Sequence, residues 1–162
     1  MMTTTPRFKY YSNSITYKIE AKEHDYLYVE RSQIPGSGNG LFTAIPIYQD
    51  EVISVFKGEV LSAREAQSRA LNNEDGCFVN LPDGTLMDSM QVDCFAKYAN
   101  DAAGFARTNY KNNARITLDE GGTVCIVASR NIAAGKEIFC SYGKKYWQNM
   151  INKGKTLNGL VH

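Results

Sequence analysis

Histidine is nearly missing from this chain: only His24 and His162 are present, far apart, and the second is the last residue. A His-based catalytic triad and a two-histidine metal site are therefore not expected. The four cysteines, Cys77, Cys94, Cys125 and Cys140, form no CxxC or CxH pair, so a zinc framework or a dithiol redox site has no support either. They stand in apolar runs such as Cys125-Ile-Val and Ile-Phe-Cys140 and read as buried free thiols. The chain also lacks charge of one sign. Eighteen Lys plus Arg against seventeen Asp plus Glu leave a net charge of +1, far from the basic excess of a general nucleic-acid binder. No apolar run approaches the roughly 18 residues of a membrane span, and Met-Met-Thr-Thr-Thr-Pro-Arg at the start has no signal-peptide pattern. The expectation is a protein of a reducing, aqueous compartment, cytoplasmic or nuclear, with no metal, nucleic-acid or membrane partner.

What is present fits one globular domain. A chain of 162 residues with 43% hydrophobic content can bury a core without disulfides or a structural metal. Residues 15–19 and 26–30 are rich in β-branched and aromatic types and read as strands. Further short strands are expected at 51–56, 77–81, 85–88, 114–118, 123–128 and 137–141, separated by Pro82-Asp83-Gly84, Gly121-Gly122 and Ala134-Gly135. The clearest helix is 62–73, opened by a capping box of Ser62 and Glu65. Short helices are also expected at 91–99 and 144–152. Many short strands and few helices predict a mostly-β (α+β) domain.

Three features carry chemical interest. Gly36-x-Gly38-x-Gly40 lies between the strand at 26–30 and Leu41-Phe42-Thr43-Ala44. No helix follows it, so it is not a dinucleotide or phosphate loop; it serves either as a tight hairpin turn or as a place where backbone approaches a ligand. Lys97-Tyr98-Ala99-Asn100-Asp101-Ala102, with Asn112-Asn113-Ala114 beyond it, gathers amide donors and acceptors in what is either a solvated loop or a polar site. Tyr142, after an apolar strand and before Gly143, is either a packing tyrosine or a phenol held at a strand end.

Taken in order, these pieces resemble the SET domain of protein-lysine methyltransferases, over about Tyr26 to Trp147. Gly38-Asn39-Gly40-Leu41-Phe42 stands where the family has GxG before Leu-Phe, and Phe56-Lys57-Gly58 where it has Tyr-x-Gly. Leu86-Met87-Asp88-Ser89 is similar to its Ile-Asp-Ala strand. Cys94 to Ala102 resembles Ala-Arg-Phe-Ile-Asn-His-Ser, and Asn113 the asparagine that closes that motif. Ala128-x-Arg130-Asn131-Ile132, Gly135-Lys136-Glu137 and Tyr142-Gly143 fit the family's ending. Three departures stand out: Asp101 replaces the motif histidine, a longer loop replaces the Ser-Cys segment that follows it, and Phe56 replaces the tyrosine of the second motif.

The resemblance implies a SET-domain β-clip-like fold of several small sheets with a pseudoknot near the C-terminus. It places a leader at 1–25, the SET domain at 26–147 and a tail at 148–162, without zinc-binding flanks. It also implies S-adenosylmethionine as cofactor and methyl transfer by in-line displacement to a lysine of a histone or other protein. By the same resemblance Tyr142 is catalytic, and Gly38, Asn39, Gly40, Asn100, Asp101 and Asn113 bind the cofactor. Phe56, Cys140, Tyr146 and Trp147 line the substrate channel. Lys97 and Arg107 are both available as a counter-charge for the cofactor carboxylate, nothing in the sequence selects between them, and a surface charge is the preferred reading of each. Asp101 and Phe56 keep open a second expectation: a catalytically silent SET-like module that binds a lysine-bearing peptide.

Overall fold

The computed structural model describes residues 15–104 and 108–142. The expected leader up to residue 14, the expected helix at 144–152, and Arg107, Tyr146 and Trp147 lie outside the described residues.

Three small sheets form the body. In the first, the order is β1 (Tyr17–Lys18), β4 (Glu51–Val55), β9 (Val124–Ala128) and β8 (Ala114–Leu118), with β1 parallel to β4 and the other pairs antiparallel. In the second, β3 (Asn39–Thr43) lies between β2 (Leu27–Arg31) and β10 (Glu137–Ile138). In the third, β7 (Leu86–Asp88) lies between β5 (Glu59–Leu61) and β6 (Phe78–Asn80). The fold is mostly β, as its short alternating and apolar runs predict.

Burial follows the residue types. Every residue of β9, Val-Cys-Ile-Val-Ala, is buried, because β4 and β8 flank it and the core packs on it. Leu41, Ile47, Ile53, Ile126 and Ile138 meet in one cluster with Phe56, Cys94, Ala99 and Cys140. The β8–β9 hairpin is turned by Asp119, whose Oδ1 accepts the backbone N–H groups of Gly121 and Thr123 at 2.9 Å, an Asx-type turn.

Helix α2 (Ala63–Leu71) starts where its capping box predicts: Ser62 Oγ accepts Glu65 N–H, and the Glu65 carboxylate accepts Ser62 N–H. Arg69 on this helix donates to buried Asp88 at 2.6 Å and to Glu59 at 3.0 Å, tying α2 to β7 and β5. The expected helix at 91–99 is reduced to a single 3-10 turn, Phe95–Tyr98. Its physical reason is Lys97, whose ammonium donates to the carbonyls of Ser89, Met90 and Val92 and wraps the preceding backbone around itself. One helical turn, α1 (Glu23–Tyr26), and strand β5 were not expected from sequence.

The C-terminal part of the described chain is clasped between two segments. Phe139 bridges Asn100 and Cys140 bridges Ala114, both in parallel. Cys140 N–H donates to Asn100 C=O at 2.8 Å, while Asn113 and Ala114 N–H both donate to Phe139 C=O at 3.0 Å. Residues 139–142 thus lie between the two ends of the 101–112 connection, the crossing expected of a pseudoknot.

Candidate functional site

The crossing gathers residues that are far apart in sequence. Ser32, Gln33, Gly40 and Asn100 gather around the Glu137 side chain, Ala99 and Asp101 hold Tyr142 with Asn112 behind Asp101, and Asn113 bonds the backbone of Glu137 and Phe139.

Gly40 is glycine because Glu137 occupies the space of a side chain. A Cβ there would stand 2.2 Å from Glu137 Oε1 and 3.2 Å from Ser32 Cα. Glu137 is 1% exposed, and its carboxylate is met by donors: Ser32 Oγ at 2.7 Å on Oε1, Gln33 N–H at 2.7 Å on Oε2, and Asn100 Nδ2 at 3.5 Å on Oε1. Ser32 donates its hydroxyl proton to the carboxylate, which only accepts, while its Oγ accepts Ile34 N–H. Gly38 has φ +65°, a conformation that favours glycine, and it turns the chain into β3. The cluster at 35–40 is therefore a turn ending at Gly38, with Asn39 and Gly40 already in the strand.

Asn100, 5% exposed, donates from Nδ2 to Asn39 C=O at 2.8 Å. Its side chain makes both of these contacts, to Asn39 C=O and Glu137 Oε1, through the NH₂ group, which leaves Oδ1 as the acceptor on offer beside the glycine turn.

Asp101 and Asn113, expected as cofactor ligands, have their side chains engaged by the crossing. Asp101 Oδ1 accepts Ala103 N–H and Asn112 Nδ2, and Oδ2 accepts Tyr142 N–H at 2.7 Å. Asn113 donates to Glu137 C=O and accepts Phe139 N–H, both at 2.9 Å, so its amide acts as one more rung beside β10. Arg130 donates to Asn112 C=O and braces the same corner.

Tyr142 is half-buried. Its hydroxyl donates to Ala99 C=O at 2.6 Å, one residue before Asn100. The phenol is thereby oriented.

Phe56 and Cys140 belong to the main core, at 9% and 1% exposure. Burial, with Asp101 adding to it, pushes the Cys140 thiol up from its ordinary range. Phe56 also lines a pocket of about 340 Å³ with Leu81, Pro82, Met87 and Val124. Lys97, expected as a possible counter-charge, is spent on its three carbonyls. Tyr110, half-exposed, packs its ring against Phe139 with centroids 5.3 Å apart.

Matched against protein families, residues 38–143 fit the SET domain, a span that covers well over half of the chain and includes the glycine turn, both asparagines and Tyr142. The chain belongs to the SET-domain family. Its members are generally methyltransferases that use S-adenosylmethionine. No curated protein matches the chain. For that cofactor the SET-domain residues divide into two groups. Gly38, Asn39 and Asn100 fit it, because a buried amide with an acceptor to offer stands beside a turn that ends at Gly38, where no Cβ screens the backbone. The side chains of Asp101 and Asn113 are already committed to backbone groups. Glu137 and Ser32, absent from the expected site, carry a signal of their own: a carboxylate inside the apolar run Glu-Ile-Phe-Cys must find buried partners.

Proposed function

We propose that this SET-domain protein is an S-adenosylmethionine-dependent protein-lysine N-methyltransferase. The observation that carries the reading is the Tyr142 hydroxyl, pinned to Ala99 C=O at 2.6 Å one residue before Asn100. A phenol held in this way accepts from an incoming amine and cannot rotate away from it. Bound S-adenosylmethionine supplies a methyl group on a sulfonium, activated for in-line displacement.

The chain's own residues then have separate tasks. Asn100 Oδ1 and the backbone at Gly38 and Asn39 receive the amino-acid end of the cofactor. Tyr142 orients the lysine amine. A dry, aromatic channel strips water from that amine, which favours its neutral, nucleophilic form. Phe56, Tyr146 and Trp147 are proposed as walls of this channel and Cys140 as a small residue behind it. The domain proposed for this work is 26–147, with β1 of the preceding segment paired to β4. The substrate is a lysine-bearing protein, with histone tails among the candidates.

The second reading, a silent module that binds a lysine-bearing peptide, is motivated by Asp101 and Phe56 at positions where the family carries histidine and tyrosine. Calorimetry with S-adenosylmethionine separates the two: the enzyme binds it, and the silent module does not. A radiolabelled methyl-transfer assay against histones and whole-cell lysate, followed by mass spectrometry of the labelled band, then tests activity, target and methyl count. Label on no protein, in a preparation that binds the cofactor, would overturn the enzymatic reading.

A further inference from the structure

Glu137 is a buried carboxylate whose hydrogen-bond partners, Ser32, the Gln33 N–H and Asn100, are all uncharged. None of the ion pairs among the described residues includes it. Its oxygens are met by a serine hydroxyl, a backbone N–H and the Asn100 amide. A carboxylate so buried depends on the donors that meet it. A buried anion without a cation favours a cationic ligand placed close by.

Its position decides which ligand group that is. Oε1 abuts Gly40 and lies 3.5 Å from Asn100 Nδ2. Asn39 C=O takes the same NH₂ group. Two acceptors on Nδ2 fix the amide in one orientation, with Oδ1 turned to the opposite end of the amide plane. A carboxylate behind an amide also polarises it and makes the far oxygen a stronger acceptor. The arrangement reads as a relay: carboxylate, amide, and then a site for a positively charged donor.

We propose that Glu137 is a positioning residue that selects the ammonium group of the cofactor's amino-acid end through Asn100. This inference rests on the function proposed above. It assigns Glu137 a part in recognition that differs from closing the fold, because a purely structural carboxylate would affect every ligand of the site alike.

The test measures binding, not turnover. S-adenosylhomocysteine and its analogue lacking the α-amino group are titrated calorimetrically into wild-type protein and into Glu137→Gln. Gln keeps the size of the side chain and removes its charge. The expected result is a roughly tenfold loss of affinity for S-adenosylhomocysteine, the scale of one buried charge acting across an amide, with the affinity of the deaminated analogue unchanged. An equal loss for both ligands would overturn the proposal and make Glu137 structural. If Gln at 137 prevents folding, Glu137→Asp keeps the charge and withdraws it by one methylene; a smaller loss is expected, again only for the amino-bearing ligand, and equal losses again overturn the proposal. Wild-type protein that binds neither ligand would instead overturn the cofactor reading, and this inference with it.

Discussion

Asp101 accepts the backbone N–H of Tyr142 at 2.7 Å, across 41 positions of sequence. Its other oxygen accepts Ala103 N–H and Asn112 Nδ2, so one side chain fastens three segments at the crossing. The residue that departs from the family's histidine thus acts as a clip for the proposed catalytic tyrosine. A shared partner of this kind couples the stability of the crossing to the placement of the phenol.

Asp101→Asn tests that coupling. An amide in place of the carboxylate turns one acceptor into a donor that faces Tyr142 N–H or the 103 and 112 donors. The expected cost is about 1–3 kcal/mol of stability, the penalty of an unmet buried polar group. Methyl transfer should fall at least as steeply as stability while affinity for S-adenosylhomocysteine stays near wild type, since Asn100 is untouched. Thermal unfolding, methyl-transfer assay and calorimetry read the three quantities.

Tyr142→Phe removes the hydroxyl and keeps the ring. The fold loses one hydrogen bond, to Ala99 C=O, worth about 1 kcal/mol. The reaction loses the oriented acceptor, and turnover is expected to fall by about a hundredfold, the scale of a removed polar group in a preorganised site. Cofactor affinity measured by calorimetry should stay close to wild type. Near wild-type methyl transfer in this variant would sink the role assigned to Tyr142.

Much of the framework is legible locally. Ser62 and Glu65 announce α2 because a capping box is satisfied within four residues, and the apolar run around Cys125 announces β9 because a strand flanked on both sides needs little polarity. What escapes sequence reasoning depends on distant partners. The helix expected at 91–99 gives way to Lys97 binding three carbonyls, a tertiary contact that propensity does not contain. The glycine motif shows its position but not the cause of Gly40, which is a carboxylate 97 positions on that is anchored by Ser32, 105 positions before it. Asn113 is visible as a polar residue of a motif, yet its two bonds to β10 and Phe139 exist only in the folded crossing.

Three glycines separate steric from conformational need. A Cβ on Gly58 would stand 2.3 Å from the backbone oxygen of Asp88, and a Cβ on Gly40 would stand 2.2 Å from the Glu137 carboxylate. Each Ala variant is expected to lose about 2–3 kcal/mol, the range of overpacked interiors. Only Gly40→Ala should also weaken cofactor binding, because it displaces the group behind Asn100. Gly84, with φ +88° and open space around it, should lose only about 1 kcal/mol as Ala, from backbone strain alone. Chemical denaturation of the three variants gives the order.

The cysteines predict a response to alkali. Burial pushes the Cys125 thiol from its ordinary value of 9.0 up to about 12, helped by Asp119, and burial also raises Cys140 and half-buried Cys77. A raised folded pKa on an acid means that the neutral thiol is the form the fold accommodates. Below about pH 9 both states hold the proton and these groups cause no pH dependence. Above it the unfolded chain ionises first, so stability falls as pH rises toward the folded value. Denaturant midpoints are therefore expected to drop between pH 9 and 12, and Cys125→Ala should flatten that drop while lowering stability at neutral pH by leaving a small cavity. Alkylation with iodoacetamide at neutral pH, read by mass spectrometry, should modify Cys77 before Cys94, Cys125 or Cys140, because only Cys77 is not fully buried and thiolate access governs the rate. Labelling of Cys140 ahead of Cys77 in folded protein would show that the core around the crossing opens more readily than its packing implies.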